Sequence, residues 1–374
     1  MRSKIFHLSV LAISIILLIS ILNYSCKGKE YPPIKLFIIA DQTGPIALYG
    51  KWSVEGIQIA MDEINAGGGI DGRRVQMALE DGQTNPQAGL SAFQKFVSLN
   101  KPPVVIVATN TGTVMVCAPI ANEKKIVVFA PASSGPNVTD AGDFVFRNRV
   151  SGYYESLEMA RFAAGTLKLK YLGVAVLNNE LGQGYIDAFK ISFELNDRKV
   201  VEAQMLDQGK TDFRTQIIKM KNANPEAVFL ALPVREAATF IKQSTELGFK
   251  PKWLSMTTIQ SSELFDIAGS AADGLIFVAE GGDESNPIYR EFARKYKARY
   301  GSEPTMNAMN GYDAVMLLAP MIAKNMTGPE IRDALYKTKN YQGAGGVLSF
   351  DKNGDANKPL ILMIAKNGKF ERLK

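Results

Sequence analysis

Short apolar runs and amphipathic stretches alternate along most of the chain. Residues 34–40 are almost entirely apolar, which is typical of a strand buried on both faces of a parallel sheet. Ile57, Ala60 and Ile64 then recur at helical spacing. This spacing predicts a helix at about residues 51–65. A strand followed by a helix is the repeating unit of an α/β protein.

The alternation continues to the C-terminus. Further helices are predicted at residues 87–99, 114–124, 155–167, 185–196, 213–222, 236–247, 287–299, 307–325 and 329–338. Further strands are predicted at residues 75–79, 104–109, 126–130, 171–177, 199–205, 227–232, 253–256 and 275–279, with a closing hairpin of strands 347–350 and 360–365. A chain of 374 residues exceeds the usual size of one domain. The pattern therefore predicts an α/β fold with two doubly wound parallel-sheet lobes.

Three glycines, Gly67, Gly69 and Gly72, fit the spacing of the dinucleotide-binding fingerprint. That fingerprint binds phosphate only where a strand runs into the glycines and a helix leaves them, so that helix N-terminal amides face the phosphate. Here a predicted helix precedes the glycines and a predicted strand follows them. This order predicts a helix C-cap and a turn, which favour positive φ, and no nucleotide site.

The N-terminal segment predicts export. A basic start is followed by the apolar run 5–22 and then by Cys26, which resembles a bacterial lipoprotein signal whose cysteine becomes the lipidated first residue. We predict a signal peptide at residues 1–25, lipidation of Cys26 and a polar tether at residues 26–33. Simple cleavage and an uncleaved membrane anchor are the alternatives.

Residue counts exclude several classes of chemistry. The single histidine, His7, falls in the predicted signal, which leaves the mature chain without imidazole for nucleophile activation or zinc binding. Cys117 is the only cysteine beyond Cys26 and lies in an apolar stretch, which predicts a buried thiol. The net charge of +6 comes from scattered basic residues, which favours a solvated surface over nucleic-acid binding. We therefore expect no cofactor, no metal and no enzymatic activity.

Residues 351–355, DKNGD, are similar to the start of a calcium loop. Position six of such a loop is glycine and position twelve is glutamate, whereas this chain has Ala356 and Leu362 there. The stretch therefore predicts a hairpin turn.

Loops at the carboxyl ends of the predicted strands are the candidate ligand site, because ligands of open α/β sheets bind there. These loops are 41–45, 109–112, 132–135, 178–182 and 256–258, and several are rich in glycine and small hydroxylated residues. Thr111 begins a predicted helix, where its hydroxyl and free amides suit an anion. Such residues also serve as caps and turn formers. Their occurrence at adjacent strand ends favours a site.

Six further stretches are distinctive when taken together: TGPIALYG (43–50), EINAGGGIDGRRVQMALED (63–81), FAPASSGP (129–136), LGQGY (181–185), DIAGSAADGL (266–275) and LSFDKNGD (348–355). In these stretches the chain resembles the substrate-binding proteins of branched-chain amino-acid-type ABC transporters. The resemblance implies a type I periplasmic binding fold, in which hinge strands join two α/β lobes around a ligand cleft. We predict lobe 1 at residues 34–149 and 280–342, and lobe 2 at residues 150–279 and 343–374.

The resemblance also implies ligand-binding residues in the first lobe. The carboxylate-holding serine of the family falls on Thr111 and its cleft tyrosine on Tyr49. A small-residue loop that offers a carbonyl and a hydroxyl to the ligand's head group falls on Ala132, Ser133 and Ser134.

The second lobe departs from the amino-acid binders of this family. Aromatic positions fall on Leu181 and near Pro233, and the acid that pairs with a ligand ammonium falls on Thr257. A buried ammonium without a carboxylate partner is costly, so we expect a carboxylate ligand with no obligatory ammonium. The predicted set is Tyr49, Asn110, Thr111, Ala132, Ser133, Ser134, Tyr153, Leu181, Pro233 and Thr257.

The resemblance implies a non-catalytic lipoprotein at the periplasm or cell surface that delivers a small solute to the transmembrane subunits of an ABC permease. The solute stays open between an aromatic acid, an aliphatic acid and an amino acid. Two rival interpretations are a ligand sensor coupled to a receptor, which would share the fold, and a small-molecule enzyme.

Overall fold

The computed structural model describes residues 32–282 and 285–373. The predicted signal peptide, Cys26 and most of the predicted tether lie outside the described residues. Within the described ranges, no helix is both long enough and apolar enough to cross a membrane.

Residues 34–146 build the first sheet and three of its helices. The elements are β1 (Ile34–Ala40), α1 (Ala47–Ala66), β2 (Val75–Asp81), α2 (Pro86–Asn100), β3 (Val104–Ala108), α3 (Thr111–Lys124), β4 (Val127–Phe129) and β5 (Val145–Phe146). The strands are all parallel and lie in the order β2–β1–β3–β4–β5. All five residues of β3 are buried, as expected for a strand with helices on both faces.

Residues 152–280 build most of the second sheet. The elements are α4 (Gly152–Gly165), β6 (Tyr171–Leu177), α5 (Glu180–Phe193), β7 (Lys199–Leu206), α6 (Arg214–Asn222), β8 (Ala227–Ala231), α7 (Val234–Glu246), β9 (Lys252–Ser255), α8 (Glu263–Ala268) and β10 (Ile276–Glu280). The strands are parallel in the order β10–β9–β8–β6–β7.

The remaining elements are divided between the two sheets. They are α9 (Pro287–Tyr300), α10 (Met306–Ala323), α11 (Gly328–Lys337), β11 (Tyr341–Gly343), β12 (Gly346–Phe350), β13 (Ala356–Asn357), β14 (Leu360–Lys366) and β15 (Lys369–Arg372). Phe292, Met309 and Ile331 carry the three helices into the core of the first sheet. Strands β14 and β15 extend the second sheet antiparallel beside β10. The predicted α/β fold with two parallel-sheet lobes is confirmed.

The predicted closing hairpin is wrong. Strand β12 pairs antiparallel with β11 and β13 in a separate three-stranded sheet, whereas β14 pairs with β10 and β15. Both predicted strands exist, but the apolar sequence of a strand does not show which other strands it pairs with. The DKNGD turn joins β12 to β13, and the Asp351 N–H donates to the Asp355 carbonyl at 3.0 Å.

The lobe boundaries stay a prediction. Leu348, Phe350 and Ala356 are buried in the core of the first sheet, which favours moving the predicted boundary after residue 342 to a point beyond β13. The chain then passes between the lobes three times: between β5 and α4, between β10 and α9, and between β13 and β14.

The fingerprint-like glycines lie between α1 and β2, as predicted. Gly67 is the C-cap of α1, as predicted, but its φ of −76° is negative, whereas Gly69 and Gly72 have φ values of 81° and 72° and the intervening Gly68 has 93°. A Cβ atom at Gly69 would stand 2.1 Å from the carbonyl oxygen of Arg73, so the turn requires glycine there.

Candidate ligand-binding cleft

A cavity of about 740 Å³ lies between the two lobes. The first lobe contributes residues that follow the carboxyl ends of β1, β3 and β4, and the second lobe contributes residues that follow β6 and β8. This is where an open α/β sheet places its ligand.

Eight of the ten predicted ligand-binding residues line the cavity: Tyr49, Asn110, Thr111, Ala132, Ser133, Ser134, Leu181 and Pro233. Tyr153 and Thr257 are not in its described wall. Tyr153 lies in the first turn of α4, with its ring 6.1 Å from that of Tyr154. Thr257 is buried and its hydroxyl donates to the Glu155 carboxylate, whereas the next residue, Thr258, lines the cavity. The sequence located this loop correctly but not the direction of each side chain.

The N-terminus of α3 presents hydrogen-bond donors at the cavity. Asn110 is the N-cap, and its Oδ1 accepts from the Thr113 N–H at 3.0 Å. This bond fixes the orientation of the amide, and its buried Nδ2 has no hydrogen-bond partner in the described structure. The hydroxyl of Thr111 accepts from the Gly135 N–H at 3.1 Å, which leaves its own hydrogen to donate.

The two serines of the loop after β4 already have partners. The Ser133 hydroxyl is buried and donates to the Thr109 carbonyl at 3.0 Å, so it holds the loop to the end of β3. Ser134 Oγ lies 2.9 Å from Tyr185 Oη in the other lobe. Burial raises the pKa of Tyr185 to about 12, which keeps its phenol protonated at neutral pH.

A second hydroxyl contact crosses the cleft at Tyr49. Its Oη accepts from the Val234 N–H at 2.9 Å, at the N-terminus of α7. The Tyr49 ring packs edge-on against Trp52, with 5.3 Å between ring centroids. The contacts of Tyr49 and Ser134 thus connect the two lobes, and both residues line the cavity.

Much of the remaining wall is apolar. Its members include Met115, Val116, Leu177, Leu181 and Pro233. Such a surface suits the hydrocarbon part of a ligand, while the donors of α3 suit a polar head group.

Arg149, which the sequence analysis did not select, also lines the cavity. It is fully buried and lies 2.9 Å from Glu155 and 2.7 Å from Glu280, and Lys358 Nζ is 3.6 Å from Glu280. Two cations and two carboxylates make this cluster neutral overall. Burial raises the pKa of Glu155, against the lowering effect of Arg149. Because these residues come from all three crossover regions, the cluster connects the segments that join the lobes.

Asp41 is a second cavity residue that the sequence analysis did not select, although it begins a predicted ligand loop. Its Oδ1 accepts from the Thr84 N–H at 2.9 Å, and its Oδ2 is buried without a hydrogen-bond partner in the described chain. Burial raises the pKa of Asp41 to about 6. The backbone N–H groups of Thr84 and Asn110 and the side-chain amide of Asn110 lower this pKa, and nearby Asp81 adds to the increase. Acidity directly after a buried strand was the signal that could have identified it.

The described residues contain no group of three or more histidine, cysteine or acidic side chains placed to hold a metal ion. Cys117 is buried and unpaired, as predicted, and burial raises the pKa of its thiol to about 12.

The family model described as periplasmic binding protein matches residues 33–369. A relative described as "Leu/Ile/Val-binding protein homolog 3" of Brucella melitensis is 26% identical over 336 residues, or 89% of this chain and 91% of the relative.

Two solved structures show the same architecture. A leucine binding protein, LivK, from Thermotoga maritima is 30% identical, with a TM-score of 0.82 over 91% of this chain and 98% of that one. A solute binding protein from R. palustris in complex with benzoate is 20% identical, and with a TM-score of 0.81 over 91% and 95% of the two chains it supports the fold alone. The chain therefore belongs to the periplasmic binding protein family, the solute-binding proteins of ABC transporters.

Proposed function

We propose that this protein binds a small organic carboxylate between its lobes and delivers it to the permease of an ABC importer. The observation that carries the proposal is the pair of donors at the start of α3. The buried Asn110 Nδ2 has no hydrogen-bond partner among the described residues, and the Thr111 hydroxyl has a hydrogen left to donate. Helix N-termini also favour negative charge, so a carboxylate is the head group that best satisfies these donors.

The apolar wall supports a ligand that has a hydrocarbon body. Leu181 and Pro233 of the second lobe and Met115 and Val116 of the first lobe line the same cavity. The Thermotoga maritima relative is described as leucine binding, and the R. palustris structure contains benzoate. Both ligands combine a carboxylate with an apolar body, so the relatives agree with this ligand class while differing in its members.

We propose further that lipid on Cys26 holds the protein at the outer face of a membrane. The support is the predicted signal and the polar stretch that follows the cysteine. Such an anchor would keep the binding protein near its permease.

A thermal-shift screen over aromatic acids, aliphatic acids, amino acids and uncharged amides tests the proposed ligand class. We expect at least one carboxylate to raise the melting temperature, since a ligand at 100 times its Kd adds about 2.7 kcal/mol of stability. An uncharged amide as the only stabilising compound would contradict the proposal.

The variant Thr111→Val tests the head-group site with the best carboxylate of the screen. Loss of a hydrogen bond to a charged group should weaken binding by roughly 10- to 150-fold in calorimetry. Thr239→Val is the matched control, because its hydroxyl bonds to the Arg235 carbonyl on α7 at 2.8 Å, away from the cavity. Equal affinity of the two variants would show that the head group lies elsewhere.

A further inference from the structure

Basic side chains gather at the edge of the first sheet where its strands begin, opposite the cleft. They belong to the loops before β2, β3 and β4 and to the connection between α10 and α11, which lie far apart in the sequence. We call the six residues the basic edge: Arg73, Arg74, Lys101, Lys124, Lys125 and Lys324. All are exposed except Arg73, which is half-buried.

Backbone contacts hold the loops of the basic edge together. The Val127 N–H donates to the Pro103 carbonyl at 3.0 Å, which joins the loops before β3 and β4. A Cβ atom at Gly328 would collide with the Lys125 carbonyl, so the start of α11 lies against the loop before β4. The strand order is β2–β1–β3–β4, and adjacent strands are about 4.8 Å apart. The three loops therefore lie within roughly 15 Å of one another.

The positive charge of the basic edge is only partly compensated. Lys124 pairs with Glu123 at 2.7 Å, and the other five bases form no ion pair with a described residue. Asp71 is the other acid of these loops, and Asp140 and Asp143 lie beyond β4, before the start of β5. Six bases thus face two acids within the loops themselves, so this end of the lobe is positively charged.

The segment that leads to Cys26 meets the sheet in the middle of the basic edge, because β1 lies between β2 and β3. The Pro32 carbonyl accepts from Arg73 Nε at 3.0 Å, and the Ile34 N–H donates to the Arg74 carbonyl at 2.8 Å. Cys26 precedes Ile34 by eight residues, which span at most about 29 Å. A lipid on Cys26 would therefore keep the basic edge close to the membrane surface.

We propose that the basic edge binds anionic phospholipid head groups of the membrane to which Cys26 is attached. This inference rests on the proposed lipid anchor. Charge alone would not choose this edge, because Lys221, Lys250 and Lys252 are exposed at the corresponding edge of the second sheet. The attraction of a base to an anionic leaflet extends only about 8 Å at physiological salt, so the edge next to the anchor is the one that stays within reach.

This contact leaves the cleft accessible to solute. The cavity lies at the carboxyl ends of the strands, whereas the basic edge lies at their amino ends. The seven residues of β1 separate the two ends by roughly 20 Å. The protein can therefore bind its solute while the basic edge contacts the membrane.

Fluorescence quenching by a lipid with a spin-labelled head group tests the proposal on the intact protein. A dye is attached to the thiol of Asn100→Cys, at the end of α2 on the basic edge, or of Asn222→Cys, at the end of α6 on the second lobe. Both asparagines are exposed and Cys117 is fully buried, and the unsubstituted protein supplies the background. The protein is combined with vesicles of phosphatidylcholine alone or mixed equally with phosphatidylglycerol.

We expect the dye at position 100 to be quenched most strongly in the anionic vesicles, and the dye at position 222 to be unaffected by the lipid. The extra quenching should disappear at about 1 M salt, where the Debye length falls to about 3 Å.

Removal of three charges tests which bases carry the contact. The combined variant Arg74→Gln, Lys101→Gln and Lys125→Gln should lower the contact equilibrium constant by roughly 100-fold, since each base near an anionic surface contributes about fivefold. The matched control replaces three lysines of the other lobe and should keep the wild-type quenching: Lys221→Gln, Lys250→Gln and Lys252→Gln. Neither variant alters a residue of the cavity wall, so both should keep the thermal shift given by the solute.

The outcomes separate this inference from the proposals on which it rests. Equal quenching at position 100 in neutral and anionic vesicles, stronger quenching at position 222, or equal losses in the two combined variants would overturn it. An unmodified Cys26 would remove the anchor, and quenching at position 100 by the anionic vesicles would then support the charge contact by its presence and overturn it by its absence. Failure of any carboxylate to stabilise the protein would contradict the proposed solute and leave the quenching result unchanged.

Discussion

Replacement of Asp41 by asparagine should stabilise the ligand-free protein at neutral pH. The carboxyl group is fully buried, and one of its oxygens has no partner among the described residues. Its pKa is raised from 3.8 to about 6, chiefly by burial. Asparagine has nearly the same shape and avoids the cost of holding a charge in this position.

The magnitude follows from the linkage between proton binding and folding. Each pKa unit corresponds to about 1.4 kcal/mol, so a shift of roughly two units corresponds to about 3 kcal/mol. Because the pKa of Asp41 is higher in the folded protein than in the unfolded chain, the folded state binds this proton more tightly. The associated stability is present below pH 3.8 and is lost as the pH rises through about 6.

Urea unfolding of ligand-free wild type and Asp41→Asn at a series of pH values measures this effect. The free energy of unfolding of the variant should exceed that of the wild type by up to about 3 kcal/mol above pH 6. This difference should disappear in acid. Asp313, whose pKa burial also raises to about 6, titrates in both proteins and cancels from the comparison.

A difference that does not change with pH, or a wild type that is more stable at neutral pH, would refute this reasoning. The first result would mean that folding does not raise the pKa of Asp41, and the second would mean that a group in the ligand-free protein stabilises its carboxylate.

Three further predictions concern other parts of the chain. Arg149→Met leaves Glu155 without its buried cation and should lower the free energy of unfolding by about 3–5 kcal/mol in urea. The control Arg161→Met removes an exposed arginine from α4, the helix that carries Glu155, and should cost less than about 1 kcal/mol. Similar losses in the two variants would contradict the cluster's role. Gly69→Ala should lower the free energy of thermal unfolding by about 1–3 kcal/mol, because φ is positive at this position and an added Cβ would collide with a backbone carbonyl. Saturable binding of NAD or ATP to the wild type would contradict the assignment of these glycines to a turn. Mass spectrometry should find an acyl-bearing N-terminus in the wild type but not in Cys26→Ala, and an unmodified, freely soluble wild type would exclude the anchor.

The strands and helices were predictable because a buried strand and an amphipathic helix each have a distinct pattern of apolar and polar residues in the sequence. The strand Tyr171–Leu177 was predicted with its observed bounds, and the glycine turn before β2 followed from element order alone. The closing hairpin was not predictable in the same way. Its two runs, around Leu348 and Ile364, are equally apolar, and only tertiary packing assigns them to different sheets.

The site was predictable to the level of loops. Parallel topology places strand carboxyl ends together, so Thr111 and Ser134 were found without coordinates. Whether a particular side chain is free to bind a ligand depends on its hydrogen bonds to residues far away in the sequence, and no local pattern predicts these bonds. The Ser133 hydroxyl donates to the Thr109 carbonyl, and the Thr257 hydroxyl donates to the Glu155 carboxylate. One oxygen of Asp41 has no hydrogen-bond partner among the described residues.

A crystal structure of the protein with the carboxylate that stabilises it most tests the central claim most directly. We predict that the ligand occupies the cavity between the lobes, with its carboxylate within hydrogen-bond distance of Asn110 Nδ2 and Thr111 Oγ1. A ligand bound outside this cavity, or one whose carboxylate lies away from the start of α3, would contradict the account.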